Sequence, residues 1–543
     1  MAATNWNFAD IWEAVAKVVP SRAAHLHGDT VVTWHELDRR ADALAASLLD
    51  AGLGHQSKVA CYLHNGPEYL ETVFGALKAA MVPVNTNYRY GSDEIVYLFE
   101  NADVEAVVFH AVFTPIVDAV RGRLPKVREW FVVADAGGDG PSWATKYSEA
   151  VARSRRRASM GWSRSGDDLV LLYTGGTTGM PKGVMWRQDD LFNGLGAGAN
   201  TALGIPPAET IDDLAERALS APRSAMLVAC PLMHGAGQFA AMNAMARGGT
   251  VATLASSTLD AAELLDAVER HRLTQLIIVG QAFARPILEA LDAHPGRWDL
   301  SSLVQIVSSG VMWNVENKEG LLRHMPHVLL FDSLGSSEAL GVGRSVSDSG
   351  ATQTTATFVL GPNAAVFAED GRRVEPGSGG VGMLAVGGFT PLGYYKDPDK
   401  SAATFRTYEG RRWSVPGDWA TIDADGTINL LGRGSVCINT GGEKVFPEEV
   451  EEVLKTHPSV RDAVAVGIPN ERFGEAICAV VESSRGARPT LTDLSEHVRG
   501  RLAGYKAPRH LVVVESLERA PNGKVDYKQL RRRAAEQLGV PLT

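Results

Sequence analysis

Apolar and polar positions alternate at two different periods from near the start of the chain. Thr33-Trp34-His35-Glu36 has the spacing of a capping box. Leu37, Ala41, Leu44, Ala45 and Leu48 then recur at helical intervals, so a helix is predicted there, stopped by Gly52. Lys58 to Leu63 is a short apolar run of the kind a buried strand shows, and Pro67 opens a second helix with Leu70, Val73, Phe74 and Leu77 on one face. Strand and helix patterns continue to alternate, which predicts an α/β fold with mixed sheets.

Two stretches break the pattern. Gly137 to Pro141 is Gly-rich, and Asn193 to Pro222 carries Gly194-Leu195-Gly196, Pro206-Pro207 and an acidic run from Glu209 to Asp213. The second is expected to form a lid or a helical insertion. Thr427 to Leu431 has a strand pattern, Gly432-Arg433-Gly434-Ser435 interrupts it, and a fresh pattern follows. That pattern predicts a helix from Pro447, strands near Val464 and Val480, and a helix near Leu494. Roughly 110 residues are enough for a small domain. The expected organisation is a large N-terminal domain over 1–431, a junction at 432–435 and a smaller α+β domain over 436–543.

Length and charge narrow the classes. A chain of 543 residues exceeds one ordinary core. With 45% hydrophobic and 21% charged residues it has the balance of a globular protein. A net charge of −10 argues against a nucleic acid held through its phosphates, though not against a small anion met by local donors. Cys61, Cys230, Cys437 and Cys478 are far apart, with no zinc spacing, and are expected to be buried and reduced in a cytoplasmic setting. No basic-then-apolar leader and no run of 18 apolar residues is present, so no integral membrane association is expected.

The strongest chemical signal is Tyr173-Thr174-Gly175-Gly176-Thr177-Thr178-Gly179-Met180-Pro181-Lys182-Gly183, entered from the apolar run Leu169 to Leu172. Glycines let the backbone aim its N–H groups at an anion, Thr174, Thr177 and Thr178 add hydroxyls, and Lys182 adds a cation. Such a loop suits a polyphosphate. It is not a Walker loop, because Met180-Pro181 separates Gly179 from Lys182 and Val184-Met185-Trp186 continues as a strand. The plain alternative is a Gly/Thr-rich hairpin turn.

This loop resembles the phosphate loop of the adenylate-forming superfamily, which holds acyl-CoA synthetases, peptide-synthetase adenylation domains and luciferases. The resemblance runs in order from about residue 30 to 530 and implies ATP as a substrate. Asp332-Ser333-Leu334-Gly335-Ser336-Ser337-Glu338 resembles the family segment ending Tyr-Gly-x-Thr-Glu. That implies contact of Ser337 with the α-phosphate and of Glu338, with Thr178, with Mg²⁺, which prefers hard oxygen ligands. Leu334 replaces the usual adenine-stacking aromatic, and Gly175 stands where many relatives have Ser.

The remaining matches complete the implied site. Ser308-Ser309-Gly310 resembles the turn between the adenine and acyl sites, and Pro231-Leu232-Met233-His234-Gly235 the strand end beside the acyl pocket, to which Gly280 is also assigned. Gly417-Asp418-Trp419 resembles the turn whose carboxylate accepts the ribose hydroxyls, with Arg433 reaching the same sugar. Ser435 occupies the family's pivot, where Asp or Lys is common. Asn439 to Pro447, with Gly441 and Gly442, resembles the loop that faces the pantetheine of coenzyme A. Arg519-Ala520-Pro521-Asn522-Gly523-Lys524 matches the motif that carries the catalytic lysine, Lys524.

The implied activity is an ATP-dependent acyl-CoA synthetase. A carboxylic acid is activated as its adenylate, then a turn of the small domain about Ser435 exchanges Lys524 for Gly441-Gly442 and coenzyme A takes the acyl group. Val279 to Pro286, with small Gly280 and Ala282, and Val184 to Arg187 resemble the branch that activates sterol side-chain acids and other bulky carboxylates; an ordinary medium- or long-chain fatty acid is the alternative. Two rival readings remain: an enzyme that loads a carrier-protein phosphopantetheine, and a binding protein without catalysis. Oligomeric state, homodimer included, stays open.

Overall fold

Thr33 starts the first long helix by half of the expected box. Its Oγ1 accepts from the Glu36 N–H at 3.2 Å, while the Glu36 carboxylate turns to the Arg39 guanidinium at 2.7 Å. The helix Trp34–Asp50 then packs against Pro67–Lys78. The close approach is set at Gly75, where a Cβ would lie 3.0 Å from Leu44 Cδ2. The computed structural model describes residues 5–152, 159–174, 180–199, 204–311, 313–433, 438–440, 443–470, 474–520 and 523–542.

The single apolar face predicted for the helix from Pro67 is exceeded: all of its residues but Glu68 are buried. Its polar members are therefore paired. Lys78 meets Asp38 and Asp42 at 2.7 Å each, and Glu71 meets Arg40 at 2.9 Å. Burial pushes the Glu71 carboxyl up to about 7 against the pull of Arg40. Cys61, Cys230 and Cys478 are buried and unpaired with one another, as expected, and Cys437 lies outside the described residues.

Among the described residues the strands form three sheets. One contains the parallel neighbours Lys58–Tyr62, Val82–Asn85, Val104–His110, Glu129–Val133 and Leu169–Thr174, with Lys182–Arg187 added antiparallel and Gly393–Tyr394 at its edge. A second has a parallel run that includes Ala225–Val228, Gln275–Ile278, Gln305–Ser309 and Leu329–Leu334, and continues antiparallel through Gly343–Ser347 towards Asp418–Ile422 and Thr427–Arg433. Helices cover both sheets, as the α/β expectation requires.

The stretch 193–222 is a helical insertion in its described part. Thr210 caps Ile211–Ser220, whose Leu214, Ala215 and Ala218 are buried. That helix packs on Phe8–Val18, and Arg22 bonds the carbonyl of Ala218 at 2.6 Å. Its apolar face is therefore committed to the protein's own core and not to a ligand.

Beyond Arg433 a separate five-stranded sheet forms around Val460–Asn470 and Gly474–Ser483. It is backed by Pro447–Lys455, Leu491–Arg499 and Tyr527–Leu538. It has its own buried clusters, one around Val450, Leu454 and Ile477, the other around Val464, Val480 and Leu530. The strand Thr427–Arg433 runs through Gly432 and Arg433, which pair with Trp419 and Asp418, so these two residues still lie in the large sheet.

Candidate active site

Four adjacent parallel strands deliver four of the segments singled out above. Ala225–Val228 leads to His234, Gln275–Ile278 to Gly280, Gln305–Ser309 to Gly310 and Leu329–Leu334 to Gly335 and Glu338. Register sets Ser308 beside Asp332 and Ser309 beside Ser333. All four ends open on one side, the side on which open α/β sheets bind ligands. Two of the glycines have a conformational reason. Gly280 has φ +50 with its N–H on Ser308 Oγ at 2.9 Å, and Gly310 has φ +88.

The second sheet closes the site from the other side. Leu169–Thr174 and Lys182–Arg187 are antiparallel partners with Thr174 opposite Lys182, so the loop between them bridges a hairpin. Gly175, Gly176, Thr177, Thr178 and Gly179 lie outside the described residues, as do Ser435, Gly441 and Gly442; for Arg433 only the backbone is described. Met180 is exposed and Pro181 buried at the loop's exit. The two sheets are tied where Trp186 Nε1 donates to the Ser337 carbonyl at 2.9 Å. Gly235 stands between them: a Cβ there would lie 3.0 Å from Leu172 Cδ2 and 3.3 Å from Ser337 Oγ.

Glu338 is held from several directions. Its carbonyl accepts from Ser414 Oγ at 2.7 Å, its N–H faces Ser336 Oγ at 3.3 Å, and its Oε1 accepts from the Tyr394 hydroxyl at 2.8 Å. Ser336 and Ala339 exchange backbone bonds that close the turn. Asp332 is buried with Lys318 at 3.4 Å, and burial pushes its carboxyl up to about 6 despite that ammonium. Asp418 sits opposite Arg433 on the neighbouring strand.

The small sheet leans its lysine loop over this opening. Gly523, at φ +72, touches the large domain: a Cβ would lie 2.8 Å from Val311 Cγ2 and 3.4 Å from Ala282 Cβ. The side chain of Lys524 is exposed. His234 is pushed down to about 4, chiefly by burial and then by the charges of Lys524 and Arg89, so its imidazole is neutral at pH 7. The parts meet again where Arg285 Nη1 donates to the Arg461 carbonyl at 3.1 Å. At the junction Gly432 has φ +124, and any Cβ there would collide with the Glu448 carboxylate. A cleft of about 1230 Å³ lies between the two parts, lined by Arg89, Phe283, Arg285, His457 and Arg519 among others.

Ala282 lines the cleft, and its methyl would lie 3.4 Å from a Cβ on Gly523, so its small size also leaves room for the lysine loop. Sequence reasoning missed Asn85, whose amide donates to the carbonyls of Tyr173 and Met233 at 2.8 and 2.6 Å and so joins the two motif-bearing segments. A polar residue ending the apolar run Val82-Pro83-Val84 was the available signal. Tyr394 gave a weaker one, as a tyrosine within Gly393-Tyr394-Tyr395.

This architecture, two sheets meeting at a hairpin loop and a small domain that offers a lysine to their common opening, defines an adenylating enzyme in which one cleft is completed from both parts of the chain. Residues 12–395 match the AMP-binding enzyme family and residues 449–524 its C-terminal domain, and the chain belongs to that family. It is 40% identical over 528 residues to a medium/long-chain-fatty-acid–CoA/3-oxocholest-4-en-26-oate–CoA ligase of Mycolicibacterium smegmatis, covering 96% of this chain and 95% of that one. It is 39% identical to a 3-oxocholest-4-en-26-oate–CoA ligase of Rhodococcus rhodochrous, over 98% of this chain and 96% of that one. The fold is shared with an anthranilate CoA ligase solved with anthranoyl-AMP, at TM-score 0.83 and 20% identity over 99% and 98% of the two chains. The protein is an ATP-dependent acyl-CoA synthetase. Among the described residues no helix is long and apolar enough to cross a membrane.

Proposed function

We propose that this synthetase activates a bulky or long-chain carboxylic acid, either a fatty acid or an acid on a sterol side chain, and that free coenzyme A is its thiol acceptor. The observation that carries the catalytic part is the seat of the lysine loop, with Gly523 against Val311 and Ala282 and the charge of Lys524 felt at His234. The substrate class is supported by the relatives in Mycolicibacterium and Rhodococcus, whose names join fatty acids with a 26-carboxylated sterol.

In the first half-reaction the carboxylate of the acid attacks the α-phosphorus of ATP and pyrophosphate leaves. Little covalent work is asked of the protein, so positioning and charge decide the rate. Lys182 and Lys524 would offset charge on the phosphates. Neutral His234 would border the acid without adding a second cation to compete with Lys524. The segment from Asp332 to Ser337 would hold the adenine and α-phosphate, and Asp418 with Arg433 the ribose.

A divalent cation fits the donor set, because half-buried Glu338, just past the strand Leu329–Leu334, offers a carboxylate and its neighbour Ser337 a hydroxyl, and hard oxygens suit Mg²⁺. When bound it would neutralise phosphate charge. Glu338, with Thr178, would hold it.

In the second half-reaction the small domain would turn about Ser435, withdraw Lys524 and bring Gly441-Gly442 to the same opening. The thiol then attacks the acyl carbon of the mixed anhydride, and AMP leaves. The test follows pyrophosphate release and thioester formation separately over steroid carboxylates, straight-chain acids and aromatic acids, with free coenzyme A and with a phosphopantetheinylated carrier. Release of pyrophosphate without any thioester on coenzyme A would overturn the acceptor, and preference for small aromatic acids would overturn the substrate class.

A further inference from the structure

Glu338 owes its orientation to a residue outside every segment so far assigned a role. Tyr394 ends the two-residue strand Gly393–Tyr394, which pairs antiparallel with Lys182–Arg187 so that Tyr394 lies opposite Val184. Flanking backbone bonds fix this register: Leu392 donates to the Met185 carbonyl and Tyr395 to the Gly183 carbonyl, both at 2.8 Å. The N–H of Tyr394 is held by Ser401 Oγ at 2.8 Å, and that hydroxyl is anchored on the Asp397 carbonyl at 2.6 Å. The ring is buried and packs near Phe405, with centroids 5.8 Å apart. With the backbone and ring held in this way, the phenol donates to Glu338 Oε1 at 2.8 Å. The face of the same ring carries Lys182, whose Nζ is 5.7 Å from the centroid.

We propose that Tyr394 is the positioning residue of the cation site: its hydroxyl takes one oxygen of Glu338 and turns the other towards the divalent cation, while its ring keeps Lys182 beside them. This rests on the reading of Glu338 as the cation's ligand. The chemistry favours a phenol for the task. A lysine or arginine in its place would cancel the carboxylate's charge, whereas a neutral O–H donor fixes the geometry and leaves the negative charge to the cation. Hydrogen bonds of this kind behind a metal ligand are commonly worth about 10- to 100-fold in metal affinity. The arrangement also couples the two sheets, because Lys182 and Tyr394 belong to one and Glu338 follows a strand of the other.

The experiment titrates ATP into the full chain by calorimetry, with Mg²⁺ and with excess chelator, and repeats the first arm with Mn²⁺ followed by electron paramagnetic resonance. The ratio of the two ATP affinities is the cation's contribution. Glu338→Gln is expected to abolish most of that contribution. Tyr394→Phe keeps the ring under Lys182 and is expected to lower it about 10-fold, to leave ATP binding in chelator unchanged, and to add nothing in the Glu338→Gln background. Melting temperatures of the variants confirm that each is folded. If Glu338→Gln keeps the full cation contribution, the assignment of Glu338 fails and the role of Tyr394 falls with it. If Glu338→Gln loses the contribution and Tyr394→Phe does not, the positioning role alone is overturned. That role is equally overturned if Tyr394→Phe lowers the contribution by the same factor with and without Glu338.

Discussion

Arg519 and Asp462 meet at 2.6 Å inside the small domain, and their ion pair fixes the loop from which Lys524 projects. Both carboxylate oxygens of Asp462 are used, by Nε and Nη2 of Arg519, while Nη1 bonds the Gly523 carbonyl at 2.9 Å. Ala520 and Lys524 close the loop with a backbone bond of 2.8 Å. Burial would push the Asp462 carboxyl up, but the guanidinium overcomes this and holds it below the ordinary value. The lysine is therefore carried on a loop braced from within the small domain by this bracket.

Removing one partner of the bracket should be costly. Asp462→Asn leaves the Arg519 guanidinium partly buried without its counter-charge and should destabilise the small domain by roughly 3 kcal/mol at pH 7. Because the folded-state carboxyl is depressed, the contribution of the pair is present above the unfolded carboxylate value near 4 and is lost as pH falls through the lower folded value. Adenylation should drop by about 10-fold or more through misplacement of Lys524. Equal melting temperatures for wild type and Asp462→Asn at pH 7 would show that the bracket does not support the loop.

Lys524 itself should matter in one half-reaction. In the proposed mechanism its ammonium offsets charge that grows on the leaving and bridging oxygens, and a well-placed charge of this kind is worth on the order of 3 kcal/mol. Lys524→Ala should lose about 100-fold or more in pyrophosphate release. Thioester formation from presynthesised acyl-adenylate should be nearly unchanged if, as proposed, the lysine is withdrawn before that step. Similar losses in both assays would place the lysine in both steps and remove the two-orientation mechanism.

The neutral imidazole gives a pH signature. Burial is the larger cause of the fall of His234 to about 4, and Lys524 contributes second. The sign is that of a base depressed on folding: stability is full above the unfolded value near 6.5 and is lost as pH falls from there towards 4, because the unfolded chain takes the proton first. Nuclear magnetic resonance of the histidine ring should find it neutral from pH 5.5 upward. In Lys524→Ala its value should rise yet stay below 6.5, since the ring is still buried. A ring titrating at 6.5 in the wild type would mean that it is solvated.

Much of this was legible before the structure because the signals were local. The cap at Thr33, the stop at Gly52, the strand at Leu169 and the helix at Pro447 depend on neighbours a few residues away. The linear order of motifs also pointed to which strand ends would converge. What the sequence hid were partnerships across long separations. Tyr394 lies 56 residues from Glu338 and Asn85 lies 88 from Tyr173, and no periodicity joins such pairs. Ala282 shows the same limit: smallness in a sequence says that something approaches closely, and the fold adds Gly523 of the lysine loop to the cleft that Ala282 lines.

That second contact changes how substrate breadth is tested. The idea of a wide acyl pocket draws on Gly280, Ala282 and Ser309-Gly310, but Gly280 sits at φ +50 and Ala282 meets the lysine loop as well as the cleft, so these two have a reason to be small besides the acid. A bulky residue at Gly280 would strain the backbone for any substrate. Breadth is better read on the native enzyme, by comparing kcat/KM for a steroid carboxylate with that for a straight-chain acid of similar carbon count. An apolar pocket discriminates by only about 1–3 kcal/mol per misfit group, which is roughly 10- to 200-fold. Turnover of both acids within about 100-fold of each other is therefore expected, in keeping with relatives whose names join the two classes. As a control, Gly280→Ala should lower both values by the same factor, because the cost arises from the left-handed backbone and not from contact with the ring system. Selective loss of the steroid acid in that variant would return Gly280 to the pocket wall, and absence of steroid turnover in the native enzyme would confine the substrate to fatty acids.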